Sequence, residues 1–286
     1  MTGGAGSEAT EAAERKYARL LDVLSEMESV LVAFSGGVDS TFLARAARDA
    51  LGDRAVIATA DSETYPSAEL AEARRLGALL GLRHVVVSTR ELDNPDYARN
   101  PANRCYFCKE ELFTTLAPLA GREGCRWLAY GANMDDLGDH RPGMQSARER
   151  GVRAPLIEAE LTKTEIRDLS RALGLPTWDK PSFACLSSRF QYGDPITAEK
   201  LRRVDAAEEF VRSLGFRQFR VRHHDRLARL EIPRDEMARL WEDGRHEAIV
   251  RRFRELGYVY VTLDLAGFQS GSANLILPLA RPPGPR

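Results

Sequence analysis

This 286-residue chain takes its fold from one stretch, Ser29-Val30-Leu31-Val32-Ala33-Phe34 followed by Ser35-Gly36-Gly37-Val38-Asp39-Ser40. The first half is short, apolar and partly β-branched, which is typical of a buried strand in a parallel sheet. The glycines end that strand, and the residues from Asp39 to Leu51 follow helical spacing. Glycines leave backbone N–H groups accessible and a helix N-terminus favours negative charge, so the turn is typical of an anion-binding site.

Strands and helices alternate along the rest of the first two thirds of the chain. Further strands are predicted at 55–60, 84–88 and 127–130, and further helices at 14–27, 67–80, 112–119 and 165–173. This alternation predicts βαβ units and a parallel sheet, whose ligands bind at the carboxyl ends of the strands.

The rhythm changes near Arg189-Phe190-Gln191-Tyr192-Gly193. Beyond it we expect a helix at 198–214, strands at 217–222, 228–232 and 258–263, and one or two helices between 234 and 256. The predicted fold class is therefore α/β, a parallel sheet with flanking helices followed by a smaller α+β domain. The predicted division is a disordered N-terminus at 1–12, the α/β domain at 13–188, the smaller domain at 189–278 and a disordered tail at 279–286.

Composition excludes several classes of protein. The 41 basic and 42 acidic residues give a net charge of −1, which argues against a dedicated binder of nucleic acid or membrane surfaces. No apolar run approaches the roughly 20 residues that span a bilayer, and the N-terminal residues do not resemble a secretory signal. Four scattered cysteines do not suit a secreted disulfide scaffold, so we expect a cytoplasmic protein with reduced thiols.

Polar residues follow the predicted strands where a ligand would bind. Asp61 ends the second strand, and the loop after the fourth contains Gly131, Asn133, Asp135 and further acids. Carboxylates near phosphates are typical ligands of Mg²⁺, and Asp39 is a candidate for the same role. Turn and capping chemistry is the alternative that these residue types leave open.

The cysteines offer two kinds of chemistry. Cys105 and Cys108 form a CxxC pair and Cys185 follows far along the chain, a set that lacks the four ligands of a structural zinc site but suits an iron–sulfur cluster with one open iron. Cys185 is also a candidate nucleophile, because the nearby cations Lys180 and Arg189 would lower its pKa. Inert, structural thiols are the alternative for all three positions.

The smaller domain contains candidate phosphate ligands. Arg220 and Arg222 alternate on one face of a predicted strand, as in a clamp for a phosphate group, and Glu231 lies on the next strand. Glu208 is a weaker candidate metal ligand. His223 and His224 point to opposite strand faces, which argues against their sharing a metal ion.

Four segments together resemble a known family. SGGVDS at 35–40 resembles the PP-loop of the ATP pyrophosphatases. With Asn103-Arg-Cys-Tyr-Phe-Cys-Lys109, Gly131-Ala-Asn-Met-Asp-Asp-Leu-Gly-Asp-His-Arg-Pro-Gly143 and Lys180-Pro-Ser-Phe-Ala-Cys-Leu-Ser-Ser-Arg189, it resembles the LarE-type sacrificial sulfur transferases from about Tyr17 to Leu275. The resemblance implies a PP-loop, adenine nucleotide alpha hydrolase-like fold that binds ATP with Mg²⁺. The implied ATP-binding residues are Ala33, Ser35, Gly36, Gly37, Asp39, Ser40, Ala60, Asp61, Gly131 and Asn133, with Asp39 and Asp135 toward Mg²⁺.

The resemblance also implies an activity. Family members adenylate a carboxylate of a pyridinium-3,5-dicarboxylate mononucleotide and convert it to a thiocarboxylate, toward the nickel-pincer nucleotide of lactate racemase. Some members sacrifice the sulfur of a cysteine, here Cys185, and others hold a 4Fe-4S cluster on three cysteines, here Cys105, Cys108 and Cys185. The implied residues around the cysteine are Arg189, Arg220, Arg222 and Glu231. The family further implies a homo-oligomer and a small-molecule substrate.

Two other functions use similar motifs. A tRNA-thiolating PP-loop enzyme would share SGGVDS and the cysteines, but the net charge of −1 disfavours a stable nucleic-acid partner. An ATP-dependent amide-forming synthetase would need a source of ammonia and would leave the three cysteines unexplained.

Overall fold

The computed structural model describes residues 4–138, 142–181 and 184–276. Its helices are α1 (Gly4–Glu26), α2 (Val38–Leu51), α3 (Ser67–Leu79), α4 (Pro95–Ala98), α5 (Arg104–Arg122), α6 (Pro142–Glu149), α7 (Pro155–Glu158), α8 (Lys163–Ala172), α9 (Ala198–Ser213) and α10 (Arg245–Glu255). Its strands are β1 (Val30–Ala33), β2 (Ala55–Asp61), β3 (Arg83–Ser88), β4 (Trp127–Tyr130), β5 (Arg220–His224), β6 (Leu227–Glu231) and β7 (Tyr260–Leu263). None of the described helices is long and apolar enough to cross a membrane.

The chain divides into two compact units. The first unit comprises Met1–Arg90 with Cys105–Phe183, and the second comprises Glu91–Arg104 with Ala184–Arg286. The segment 91–104 thus groups with the C-terminal part, although the sequence division assigned it to the first domain. Its contacts explain this, because the carbonyls of Ala98 and Asn100 accept backbone hydrogen bonds from Ile196 and Gly193.

The first unit contains the predicted parallel sheet, and its strand order is β3-β2-β1-β4. Strand β1 contributes side chains to a hydrophobic core on each face of the sheet. Val30 and Val32 pack with α1, α2 and α8, whereas Leu31 packs with α5 on the other face. A strand buried on both faces needs an apolar run, which is why this run could be identified from sequence. The carboxyl ends of β1, β2 and β4 therefore meet at one edge.

The second unit is a small mixed sheet covered by helices. Strand β5 pairs antiparallel with β6, and β6 pairs parallel with β7. The core contains Val211 of α9 and Phe253 of α10 packed with Val221 and Leu230 of the sheet. The predicted α+β architecture is confirmed.

Several predicted boundaries were wrong. Helix α1 begins at Gly4, so residues 4–12, predicted to be disordered, are helical, which fits their alanine and glutamate content. Helix α5 begins at Arg104 rather than 112 and therefore includes the CxxC pair. The region 234–256 forms a 3₁₀ segment (Arg234–Trp241) and then α10. The predicted tail at 279–286 lies outside the described residues.

Candidate functional site

The turn after β1 has a backbone that favours glycine. Gly36 has φ +63°, and a Cβ atom there would lie 3.3 Å from the Cα of Ala73 on α3. Ser40 Oγ accepts the N–H of Ser35 at 3.2 Å and donates to the carbonyl of Gly37, the N-cap of α2, at 3.2 Å. The hydroxyls of Ser35 and Ser40 lie 3.1 Å apart. The tight turn at the start of a helix is thus present as predicted, and its ligand stays a prediction.

The exit of β4 lies against this turn. A Cβ atom on Gly131 would lie 3.0 Å from the backbone nitrogen of Ser40, so only glycine lets the two segments approach this closely. Asn133 follows, and its Nδ2 donates to Asp39 Oδ1 at 3.3 Å. The structure therefore brings the predicted residues Gly131 and Asn133 together with Asp39 and Ser40.

Asp39 and Asp135, the predicted ligands of Mg²⁺, share a lysine that sequence reasoning missed. Lys163 Nζ lies 2.5 Å from Asp39 Oδ2, and the Lys163 backbone N–H donates to Asp135 Oδ2 at 2.6 Å. Lys163 is the first residue of α8, which begins with a capping box between Thr162 and Glu165. That box is visible in the sequence and predicts the helix start, but not the distant partner of Lys163.

Three further residues that the resemblance assigned to ATP binding lie at the same edge of the sheet. Ala33 ends β1 and is paired in register with Ala58 of β2, while Ala60 and Asp61 are the last two residues of β2. Ala33 and Ala60 are half-buried and Asp61 is exposed.

The CxxC pair lies on the first turns of α5. Cys105 is exposed and Cys108 half-buried, and their spacing of three residues places both thiols on one helix face. Two cysteines so arranged fit part of the ligand set of an iron–sulfur cluster. Cys125 is buried, which raises the pKa of its thiol to about 11, so it has little thiolate and suits a structural role.

In the second unit, Arg189 anchors the segment that contains Cys185. Arg189 is fully buried and forms a two-pronged ion pair with Glu208, with both N···O distances 2.8 Å. Its Nη1 also donates to the carbonyls of Ala184 at 2.8 Å and Cys185 at 3.1 Å. Cys185 is half-buried and caps the 3₁₀ turn Leu186–Arg189. Arg189 thus holds the backbone of the cysteine rather than its thiol.

Arg222 of β5 supports the same segment. Its guanidinium binds both oxygens of Glu231 at 2.9 Å and donates to the carbonyl of Ser188 at 2.6 Å and to Ser272 Oγ at 2.8 Å. Arg220 is also buried and lies over the ring of Phe268. Burial and the positive charge of Arg189 lower the pKa of Arg220 to about 10. An anion bound beside Arg220 would therefore stabilise its charged form.

Other residues singled out in the sequence have structural partners. Glu208 accepts from Arg189 and from the N–H of Val221; burial opposes its charge, but the cation beside it holds its pKa below the ordinary value. His223 is buried with its Nδ1 3.1 Å from Tyr258 Oη. Lys180, expected to lower the pKa of Cys185, instead pairs with Glu69 in the first unit.

No group of three or more His, Cys, Asp or Glu side chains in the described ranges is arranged to hold a metal ion. Cys105 and Cys108 belong to the first unit and Cys185 to the second. Asp139 and Arg141 of the polar loop, and Ser182 and Phe183 before Cys185, lie outside the described residues.

Comparison with known proteins found relatives along nearly the whole chain. An uncharacterised protein of Synechocystis is 48% identical over 92% of this chain and 98% of its own length. The pyridinium-3,5-bisthiocarboxylic acid mononucleotide synthase of Lactiplantibacillus plantarum is 36% identical over 91% of this chain and 94% of its own length. A glutamine-hydrolysing GMP synthase of Aeropyrum pernix is 30% identical over 64% of this chain and 39% of its own length. No family model matches the chain.

Proposed function

The chain belongs to the LarE-type family of ATP-dependent, adenylating sulfur transferases, and on that premise we propose that it converts a carboxylate of a pyridinium-3,5-dicarboxylate mononucleotide into a thiocarboxylate. The name of the L. plantarum relative supports this substrate. The observation that carries the proposal is the cysteine segment, because Cys185 is held at the start of a 3₁₀ turn by the buried Arg189. The product would serve the synthesis of a nickel-pincer nucleotide.

Adenylation is assigned to the first unit. A carboxylate oxygen of the substrate attacks the α-phosphorus of ATP, and pyrophosphate leaves. Backbone N–H groups of Gly36 and Gly37 and the N-terminus of α2 would bind the leaving pyrophosphate. Asp39 and Asp135 are the carboxylates that would hold Mg²⁺, which neutralises phosphate charge when bound. Lys163, already beside Asp39, would offer a further positive charge to the phosphates.

Sulfur transfer is assigned to the second unit. The thiolate of Cys185 attacks the acyl adenylate, AMP leaves, and a thioester links the substrate to the protein. A base then accepts the Cα proton of Cys185, the C–H electron pair forms the Cα=Cβ bond, and the Cβ–S bond breaks. Sulfur leaves with that electron pair as the thiocarboxylate, and dehydroalanine stays in the chain. Arg220 would supply positive charge for the phosphate of the mononucleotide. Arg222, expected from the sequence to share that role, is already paired with Glu231 and instead supports the segment through the carbonyl of Ser188.

The family resemblance implies a second source of sulfur. Cys105 and Cys108 on one face of α5, with Cys185, would hold a 4Fe-4S cluster. A cluster held by these residues would supply sulfide sulfur, and the Cβ–S bond of Cys185 would then stay intact. Iron and acid-labile sulfide in anaerobically purified protein, both lost in Cys105→Ala, would favour the cluster; iron-free protein after anaerobic reconstitution would leave Cys185 as a single-use donor.

The proposed reaction is tested with ATP, Mg²⁺ and the dicarboxylate mononucleotide. We expect release of pyrophosphate that depends on the acceptor, and a thiocarboxylate product detected by mass spectrometry. Cys185→Ala should still release pyrophosphate but form no thiocarboxylate. Acceptor-independent release of pyrophosphate, or product from Cys185→Ala, would contradict the proposal. We place this reaction in the cytoplasm, where thiols stay reduced; a homo-oligomer also stays a prediction.

A further inference from the structure

Two successive carbonyl groups of the glycine turn receive hydrogen bonds from side chains outside the turn. Tyr65 Oη donates to the carbonyl of Ser35 at 2.7 Å, and Lys180 Nζ donates to the carbonyl of Gly36 at 3.0 Å. The two donors come from separate parts of the first unit. Neither residue belongs to the SGGVDS motif.

Both donors are themselves held in place. Lys180 Nζ also binds Glu69 Oε2 on α3 at 2.7 Å, and the side chains of the pair are only 17% and 10% exposed. Burial and the negative charge of Glu69 raise the pKa of Tyr65, so its hydroxyl stays protonated and able to donate. Gly36 packs against Ala73 of the same helix. The side of the turn that bears the two carbonyls is therefore fixed.

Fixing these carbonyls orients the two amides that follow. A trans peptide is planar, and its C=O and N–H point in opposite directions. Pinning the carbonyls of Ser35 and Gly36 therefore turns the N–H groups of Gly36 and Gly37 away from Tyr65 and Lys180. Neither N–H has a hydrogen-bond acceptor among the described residues.

We propose that Tyr65 and Lys180 are positioning residues that hold the Gly36 and Gly37 amides ready for the pyrophosphate end of ATP. The inference rests on the proposed function, since it assigns the turn to ATP. Without the two donors, each peptide would rotate more freely, and binding an anion would carry an added cost of ordering the turn. The adenosine end of the site would not depend on them.

The test measures binding of inorganic pyrophosphate with Mg²⁺, and separately of adenosine, by calorimetry. Tyr65→Phe removes one hydroxyl, and its matched control Tyr17→Phe removes the hydroxyl that binds Asp49 away from the turn. Lys180→Met removes the ammonium group, and its control Lys16→Met breaks the Lys16–Glu165 pair. Lys180→Arg keeps charge and donors, so it should recover much of the lost affinity.

We expect pyrophosphate to bind about fivefold more weakly to Tyr65→Phe and about tenfold more weakly to Lys180→Met, the size of one neutral and one charged hydrogen bond. Adenosine should bind all variants equally, and both controls should match the wild type. Unchanged pyrophosphate affinity, or equal losses for pyrophosphate and adenosine, would overturn the inference, since equal losses indicate general damage. Wild-type protein that binds no pyrophosphate would overturn the proposed function as well. Because Lys180→Met leaves Glu69 without its partner, Tyr65→Phe is the decisive variant.

Discussion

The glycine turn of the first unit and the cysteine segment of the second differ in how deeply their ion pairs are buried. At the turn, the side chains of Lys163 and Asp39 are about one-third and one-quarter exposed, and those of Lys180 and Glu69 are 17% and 10% exposed. The cysteine segment is held by Arg189 and Glu208, whose side chains are 0% and 2% exposed. Changes at the turn should therefore mainly affect function, whereas changes beneath Cys185 should first affect stability.

The largest effect is expected for Arg189→Met. It leaves the buried carboxylate of Glu208 without its cation, so we expect the free energy of unfolding to fall by about 3–5 kcal/mol. Urea unfolding followed by circular dichroism measures it. The exposed Arg19–Glu160 pair is the matched control, and Arg19→Met should cost less than about 1 kcal/mol. Similar losses of unfolding free energy in Arg189→Met and Arg19→Met would contradict the claim that the buried pair stabilises the cysteine segment.

Lys163→Gln should lower activity much more than it lowers stability. Removing a cation beside the phosphates should lower kcat for pyrophosphate release about 100-fold, while the partly exposed ion pair contributes about 1 kcal/mol or less to stability. Steady-state kinetics and urea unfolding of the same sample measure the two effects. Lys16→Gln should leave kcat unchanged. A loss of stability without loss of kcat would make Lys163 a structural residue.

Acid should weaken the second unit through His223. Burial, with Lys200 and Arg203 nearby, lowers the pKa of His223 from 6.5 to about 4. Below pH 6.5 His223 is protonated in the unfolded chain, whereas in the folded protein it stays neutral down to about pH 4. Stability should therefore fall by roughly 2 kcal/mol as the pH drops through this window.

The measurement for His223 is urea unfolding between pH 7 and 4, comparing the wild type with His223→Phe. The variant keeps a ring against Phe190 and should lose this part of the pH dependence. An identical pH slope in both proteins would show that other groups cause the loss.

The smallest expected change in stability comes from glycine-to-alanine substitutions. Comparing two of them distinguishes backbone strain from side-chain packing at the turn. Gly36 and Gly81 have φ values of +63° and +62°, so alanine strains both by about 1 kcal/mol. Only at Gly36 does the new Cβ meet a neighbour, Ala73, within 4 Å. We expect Gly36→Ala to cost about 1 kcal/mol more than Gly81→Ala and to raise the KM for ATP. Equal stability and equal KM for the two variants would contradict this packing.

The same contrast explains what sequence could reveal. The buried strand β1, the glycine turn and the start of α2 are contiguous, so pattern and turn chemistry located them together. Lys163 was missed, and Lys180 was assigned to Cys185, because their actual partners, Asp39 and Gly36, lie 124 and 144 residues away in the sequence. The sequence predicted that Arg220 and Arg222 lie on one face of a strand. It could not predict that Arg222 binds Glu231 and the carbonyl of Ser188. Short helices such as α6 and α7 carry too few residues to show a period.

The central claim is that sulfur passes through Cys185. The most direct measurement is the intact mass of the protein after one turnover with ATP and the mononucleotide, with peptide mapping of the Cys185 segment and a parallel assay of thiocarboxylate. For iron-free protein we expect the loss of one H₂S, mapped to dehydroalanine at Cys185, in proportion to thiocarboxylate formed. Thiocarboxylate formed by iron-free protein whose Cys185 keeps its sulfur would contradict the account.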